Sequence, residues 1–173
     1  MPKYYIMLVD HANSQMRVPV KALQNPYNGQ AAFSAGMPQF FGGTDTDDQA
    51  PAVVLDHEIT QESRRTLELT SAFPVYFYTE GNMFFYWAAE DKWAETGTAW
   101  GPAQNNAEAE MDRIVAIDMT QFDNNMTNNQ IIAELVAQTG SQGAPQQGQN
   151  DFNASATRTA FTTLIRMYLA GQL

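Results

Sequence analysis

Two β-rich runs, Phe73 to Tyr78 and Met83 to Ala88, flank the short polar segment Thr79-Glu80-Gly81-Asn82. No other feature constrains the chain as tightly, because a glycine-containing turn between aromatic runs is a hairpin signal and commits the fold to a sheet. A sheet must bury at least one face against another layer. The periodic segments on either side can supply that layer. Ala50 to Leu69 reads as a helix that Asp47 or Asp48 could cap, with Pro51 in its first turn and Leu55 and Ile59 turned to the core. Thr127 to Gln138 places Ile131, Ile132, Leu135 and Val136 on one face and stops at Gly140. Ser155 to Leu169 carries Phe161, Leu164, Ile165, Tyr168 and Leu169 at helical spacing. Further strands are expected at Tyr4 to Val9, at Arg17 to Leu23, where Pro19 marks an edge or a bulge, and at Asp112 to Met119. Trp93 to Asn106 reads as loop.

With 173 residues, 44% of them hydrophobic, the chain can build one ordinary core. Its net charge of −10 repels phosphate backbones and anionic membranes, so neither nucleic acid nor a membrane surface is an expected partner. Small phosphorylated ligands stay compatible if a divalent cation lies between carboxylate and phosphate. Cysteine is absent, which removes disulfides, thiolate metal sites and cysteine nucleophiles. The first ten residues hold too short an apolar run for a signal peptide, and a cytoplasmic setting is expected. The Gly/Gln/Pro/Ser-rich stretch from Ser141 reads as a flexible linker. The expected organisation is therefore a domain at 1–140, a linker at 141–154, and a helix at 155–173 that either docks back or offers a surface to a protein partner.

The chemistry concentrates between the Phe40-Phe41-Gly42-Gly43 loop and the helix that follows. Glu58 and Glu62 lie four apart on one helical face, where like charges repel unless a cation sits between them. From Gly43, five residues lead to Gln49 and seven more to His57-Glu58-Ile59-Thr60-Gln61-Glu62-Ser63-Arg64-Arg65. This spacing resembles the Nudix motif, in which Gly, a Glu, Arg-Glu, an aliphatic, Glu-Glu, Gly and an aliphatic occupy the fixed positions. Gly43, Glu58, Ile59 and Glu62 match, whereas Gln49, His57, Gln61, Arg64 and Arg65 depart.

The resemblance implies a Nudix-like α/β/α sandwich with a mixed β-sheet, followed here by the extra C-terminal helix. It implies hydrolysis of a nucleoside diphosphate derivative with Mg²⁺ or Mn²⁺, metal on Glu58 and Glu62, and Glu62 as the catalytic acid group. Gly42 and Gly43 would shape the wall beside the diphosphate. Gln61 offers an amide oxygen without charge, which weakens a further metal site. With Arg64 where the family has glycine, the turn after the helix is expected to differ. The alternative is a catalytically degenerate module that binds a nucleotide or a protein. Two acids four apart also fit a plain solvated face, paired weakly with Arg64 or Arg65.

Other groups are less specific. His11 and His57 could in principle share a metal, although unrelated histidines usually do not. Glu108 and Glu110 could add an acid near the site or form an exposed acidic loop. Among the aromatics, Phe84 or Phe85 belongs to the core, and Trp100, placed in a loop, is the candidate for stacking on a substrate base.

Overall fold

The computed structural model describes residues 1–29, 33–141 and 151–173. Most of the expected linker, residues 142–150, lies outside them. Strand β1 (Lys3–Asp10) is the hub of a mixed sheet. Along one edge it runs parallel to β6 (Met83–Ala88), with Lys3 opposite Met83 and Leu8 opposite Ala88. Its other edge is divided. The short strand β3 (Phe41–Thr44) takes residues 3–6, and β2 (Gln15–Lys21) takes residues 8–10, both antiparallel. Outward from this centre, β5 (Val75–Glu80) pairs with β6 as the expected hairpin, and β8 (Met111–Asp118) pairs with β2.

The period of two along β1 sets the layers. Met7 and Val9 face one side and Ile6 and Leu8 the other, all fully buried. On the first side, α3 (Asn128–Thr139) and α4 (Ala156–Leu169) cover the sheet through Ile131, Leu135, Phe161, Leu164 and Ile165. Phe161 packs 4.6 Å from Phe40, centroid to centroid. The C-terminal helix thus shares the core of the sheet. On the second side, α1 (Pro51–Glu62) buries Leu55 and Ile59 beside a two-stranded sheet of β4 (Leu67–Leu69) and β7 (Trp93–Glu95). Each such fully buried aliphatic side chain contributes about 1.5–3 kcal/mol. Among the described residues, no helix is long and apolar enough to cross a membrane.

Several local expectations are corrected. The helix expected over 50–69 ends at Glu62, and Leu67–Leu69 is instead strand β4, paired with a strand inside the segment read as loop. That segment also ends in a one-turn helix, α2 (Asn106–Ala109), capped by the Asn105 side chain. Neither aspartate caps α1. Its N-cap is Ala50, and Asp45 accepts the N–H groups of Asp47 and Gln49 to fix the preceding loop. Pro19 sits in an interior strand opposite Ile114, next to a bulge between Val20 and Lys21. It is tolerated because β1 pairing stops at Arg17, and past that point Gln39 donates to the Pro19 carbonyl.

The helix-ending turn is left-handed without glycine. Arg64 and Arg65 both adopt the left-handed conformation, with φ of 51° and 67°, although neither is glycine. Such a conformation costs roughly 1–2 kcal/mol per residue. The Arg64 guanidinium offsets it by donating to the carbonyls of Glu108, Gly101 and Met111, while Arg65 pairs with Glu108 at 2.6 Å.

Candidate functional site

The Gly42-Gly43 strand passes between β1 and α1 with no room to spare. A Cβ on Gly42 would collide with the Tyr4 carbonyl and the Tyr5 ring, and one on Gly43 would collide with the Glu58 carboxylate. The paired glycines therefore let the acidic face of α1 lie directly on the backbone of β3. Leu55 and Ile59 hold the helix there by burial, which fixes where the two glutamates point.

Glu62 is only 4% exposed and accepts the Gly42 N–H at 3.1 Å. Burial raises its pKa well above the ordinary glutamate range, and the neighbouring Glu58 charge raises it further. The Gly42 N–H and the more distant Lys21 oppose that shift without cancelling it. Glu58 is also raised, chiefly by burial and partly by Glu110, against the lowering effect of His57. The Tyr5 hydroxyl is raised by burial and then by Glu62 and Glu58. Among the described residues, no lysine or arginine lies within 4 Å of either glutamate; the ion pairs form elsewhere. The pair is therefore not the solvated, arginine-paired face that its spacing also allowed.

Glu62 and Gly42 open into a cavity of about 730 Å³ whose walls include Tyr5, Glu110, Lys3 and Lys21. Glu58 borders a smaller cavity of about 340 Å³ on the other side, with Asp45 and His57. The structure thus brings Gly42, Gly43, Glu58 and Glu62 together as the motif spacing implied. Trp100 is not among them. It stacks on the Arg64 guanidinium, 4.3 Å from centroid to Cζ, and lines a separate cavity of about 470 Å³ with Arg17 and Arg113. Glu110 borders the main cavity, whereas Glu108 is buried in its pair with Arg65 rather than exposed on a loop. His11 bonds Glu90 at 2.9 Å while His57 lies exposed on α1. Among the described residues, no group of three or more His, Asp or Glu is gathered closely enough to hold a metal ion.

Lys3, Tyr5 and Lys21 escaped the sequence reading. Alternation along β1 places Lys3 and Tyr5 on one face, but only the pairing of β1, β2 and β3 brings them to the cavity that holds Glu62.

No protein-family model and no curated protein matches the chain. Among solved structures, a NUDIX hydrolase from Nitrosomonas europaea is similar over 89% of this chain and 90% of that one, at 11% identity and a TM-score of 0.41. A likeness at that score carries no weight for chemistry. The mixed α/β architecture stands on the strand pairing described above.

Proposed function

We propose that this chain is a cytoplasmic Nudix-type hydrolase that uses a divalent cation to cleave a nucleoside diphosphate derivative. The observation that carries this reading is Glu62, a carboxylate at the wall of the largest cavity among those described, buried beside Glu58 with one N–H partner. A buried carboxylate beside a half-buried one, with no cation bonded directly to either, is costly. The donor set suits Mg²⁺, which takes one or two protein carboxylates and completes its shell with water and phosphate oxygens. Glu58 and Glu62 would hold the ion, whose charge there offsets that developing on the diphosphate oxygens. Glu62, or Glu110 on the same cavity, orients the attacking water. Gly42 and Gly43 keep the wall bare of side chains so that backbone can approach the diphosphate. A stacking role for Trp100 requires a ligand that reaches the second cavity.

The test is product release from a panel of nucleoside diphosphate derivatives with and without Mg²⁺. Turnover that depends on metal and disappears in Glu62→Gln supports the reading, and activity retained in that variant sinks it. One observation favours the second reading, binding without turnover: among the described residues no group of three or more acids or histidines gathers to hold a metal, and the motif's third acid is Gln61. That module would bind a ligand with no Mg²⁺-linked rise in melting temperature.

A further inference from the structure

The main cavity is lined by basic as well as acidic side chains. Lys3 and Lys21 both border it, half-buried, and among the described residues neither ammonium has a hydrogen-bond acceptor or a carboxylate within 4 Å. Every other basic side chain is engaged. Arg17, Arg65 and Arg113 pair with acids, Arg64 and Lys92 bond carbonyls, and Arg158 and Arg166 bond asparagines on or beside α3. In a chain of net charge −10, two cations at the same cavity that no carboxylate bonds directly need an account, although Lys21 acts on Glu62 at longer range.

The start of α4 closes the same cavity. Its N-cap, Ser155, makes no side-chain capping bond, and its hydroxyl donates to the Phe152 carbonyl. Among the described residues no side chain caps the first turn of this 14-residue helix, and the positive end of its dipole lies at the cavity. One residue into the helix, Thr157 also borders the cavity. It is 9% exposed, and its hydroxyl has no partner among the described residues. Glu80 and Glu110 share the cavity wall, but Glu80 accepts the Tyr78 hydroxyl and neither acid reaches a lysine.

We infer that Lys3, Lys21, the Thr157 hydroxyl and the open N-terminus of α4 form an anion subsite for a phosphoryl group in the cavity that Glu62 also lines. Two ammonium groups, a hydroxyl donor and the first-turn N–H groups match a tetrahedral oxyanion in charge and in donor count. The subsite shares its cavity with the hydrolase reading and deepens it. A substrate that reaches both Glu62 and the subsite carries a phosphoryl group at the end away from the bond that is cut. The subsite itself needs no metal, and so it can be tested separately.

The experiment is titration of the full chain with inorganic phosphate in a metal chelator, followed by calorimetry and by melting temperature, with chloride at equal ionic strength as the reference. Wild type is expected to bind phosphate saturably. Lys3→Gln and Lys21→Gln should each weaken it about tenfold, the size expected for loss of one charge-assisted contact. Thr157→Val, which keeps the shape and removes the donor, should weaken it by a smaller factor. Lys92→Gln, remote from the cavity, should bind as wild type does, which separates the site from net charge. Glu58→Gln should also retain phosphate binding, so a failed metal site and a failed anion subsite give different patterns. No saturable binding in wild type overturns the inference. So does equal weakening by Lys92→Gln and Lys21→Gln. If phosphate binds through the subsite alone but no phosphorylated nucleotide competes for it, the site takes free phosphate and its link to the substrate is overturned.

Discussion

Adjacent glycines in β3 face different obstacles, and substituting each by alanine separates scaffold from chemistry. In Gly42→Ala the new methyl meets the Tyr4 carbonyl and, at 2.9 Å, the Tyr5 Cα, both backbone atoms of the central strand. Neither can move without disturbing the pairing of β1 with β3 and β6. Overpacking against rigid neighbours costs about 1–3 kcal/mol, and a backbone obstacle belongs at the upper end. At about 2–4 °C per kcal/mol for a chain of this length, the melting temperature should fall by about 6–12 °C. In Gly43→Ala the atoms nearest the methyl all belong to the carboxylate of Glu58, the free end of a flexible side chain. That side chain can swing aside, so stability should change by less than about 1 kcal/mol. The swing takes Glu58 away from Glu62, and Mg²⁺-linked stabilisation together with hydrolysis should be lost. Thermal unfolding with and without Mg²⁺, alongside the turnover assay, reads both effects. Equal destabilisation by the two substitutions would refute the distinction between backbone and side-chain obstacles. A Gly43→Ala protein that keeps full Mg²⁺ response would refute the placement of Glu58 in the metal site.

Two further outcomes follow from the burial pattern. Glu62 has a folded-state pKa raised by burial, so the stability it contributes is fully present below its unfolded pKa of about 4.3 and is lost as pH rises through the folded value. In chelator, Glu62→Gln should therefore melt above wild type at pH 7, and the gain should vanish toward pH 4; a gain independent of pH would contradict the burial of a titrating carboxylate. Phe161→Ala removes a fully buried ring packed on Phe40 and Phe152 and should cost about 3–5 kcal/mol, read by denaturant unfolding as one cooperative transition. A loss below about 1 kcal/mol would show that α4 is not part of the core.

What the sequence by itself determined is local. The hairpin at Val75–Ala88, the α3 helix with its Gly140 end, and the amphipathic α4 were legible because turn chemistry, helix ends and periodicity act within a few residues. The shared face of Glu58 and Glu62 was legible for a related reason: a spacing of four along one helix sets relative position without tertiary input, whereas their contact with Gly42 and Gly43 depends on the burial of Leu55 and Ile59. Tertiary structure decided the rest. Leu67–Leu69 continues an apolar helical pattern, yet it becomes a strand because Trp93–Glu95, distant in sequence, offers it hydrogen-bond partners. Arg64 occupies a left-handed turn that its own side chain disfavours, because three carbonyls from the 101–111 region receive its guanidinium. Trp100 is drawn to that same arginine and away from the acids. Lys3 and Lys21 reach one cavity through strand pairing, and Thr157, from the other end of the chain, joins them only through the packing of α4 on the sheet. Long-range contacts of this kind leave no periodicity and no spacing for a reader of the sequence, since the energy that selects them is shared among partners that the chain order does not pair.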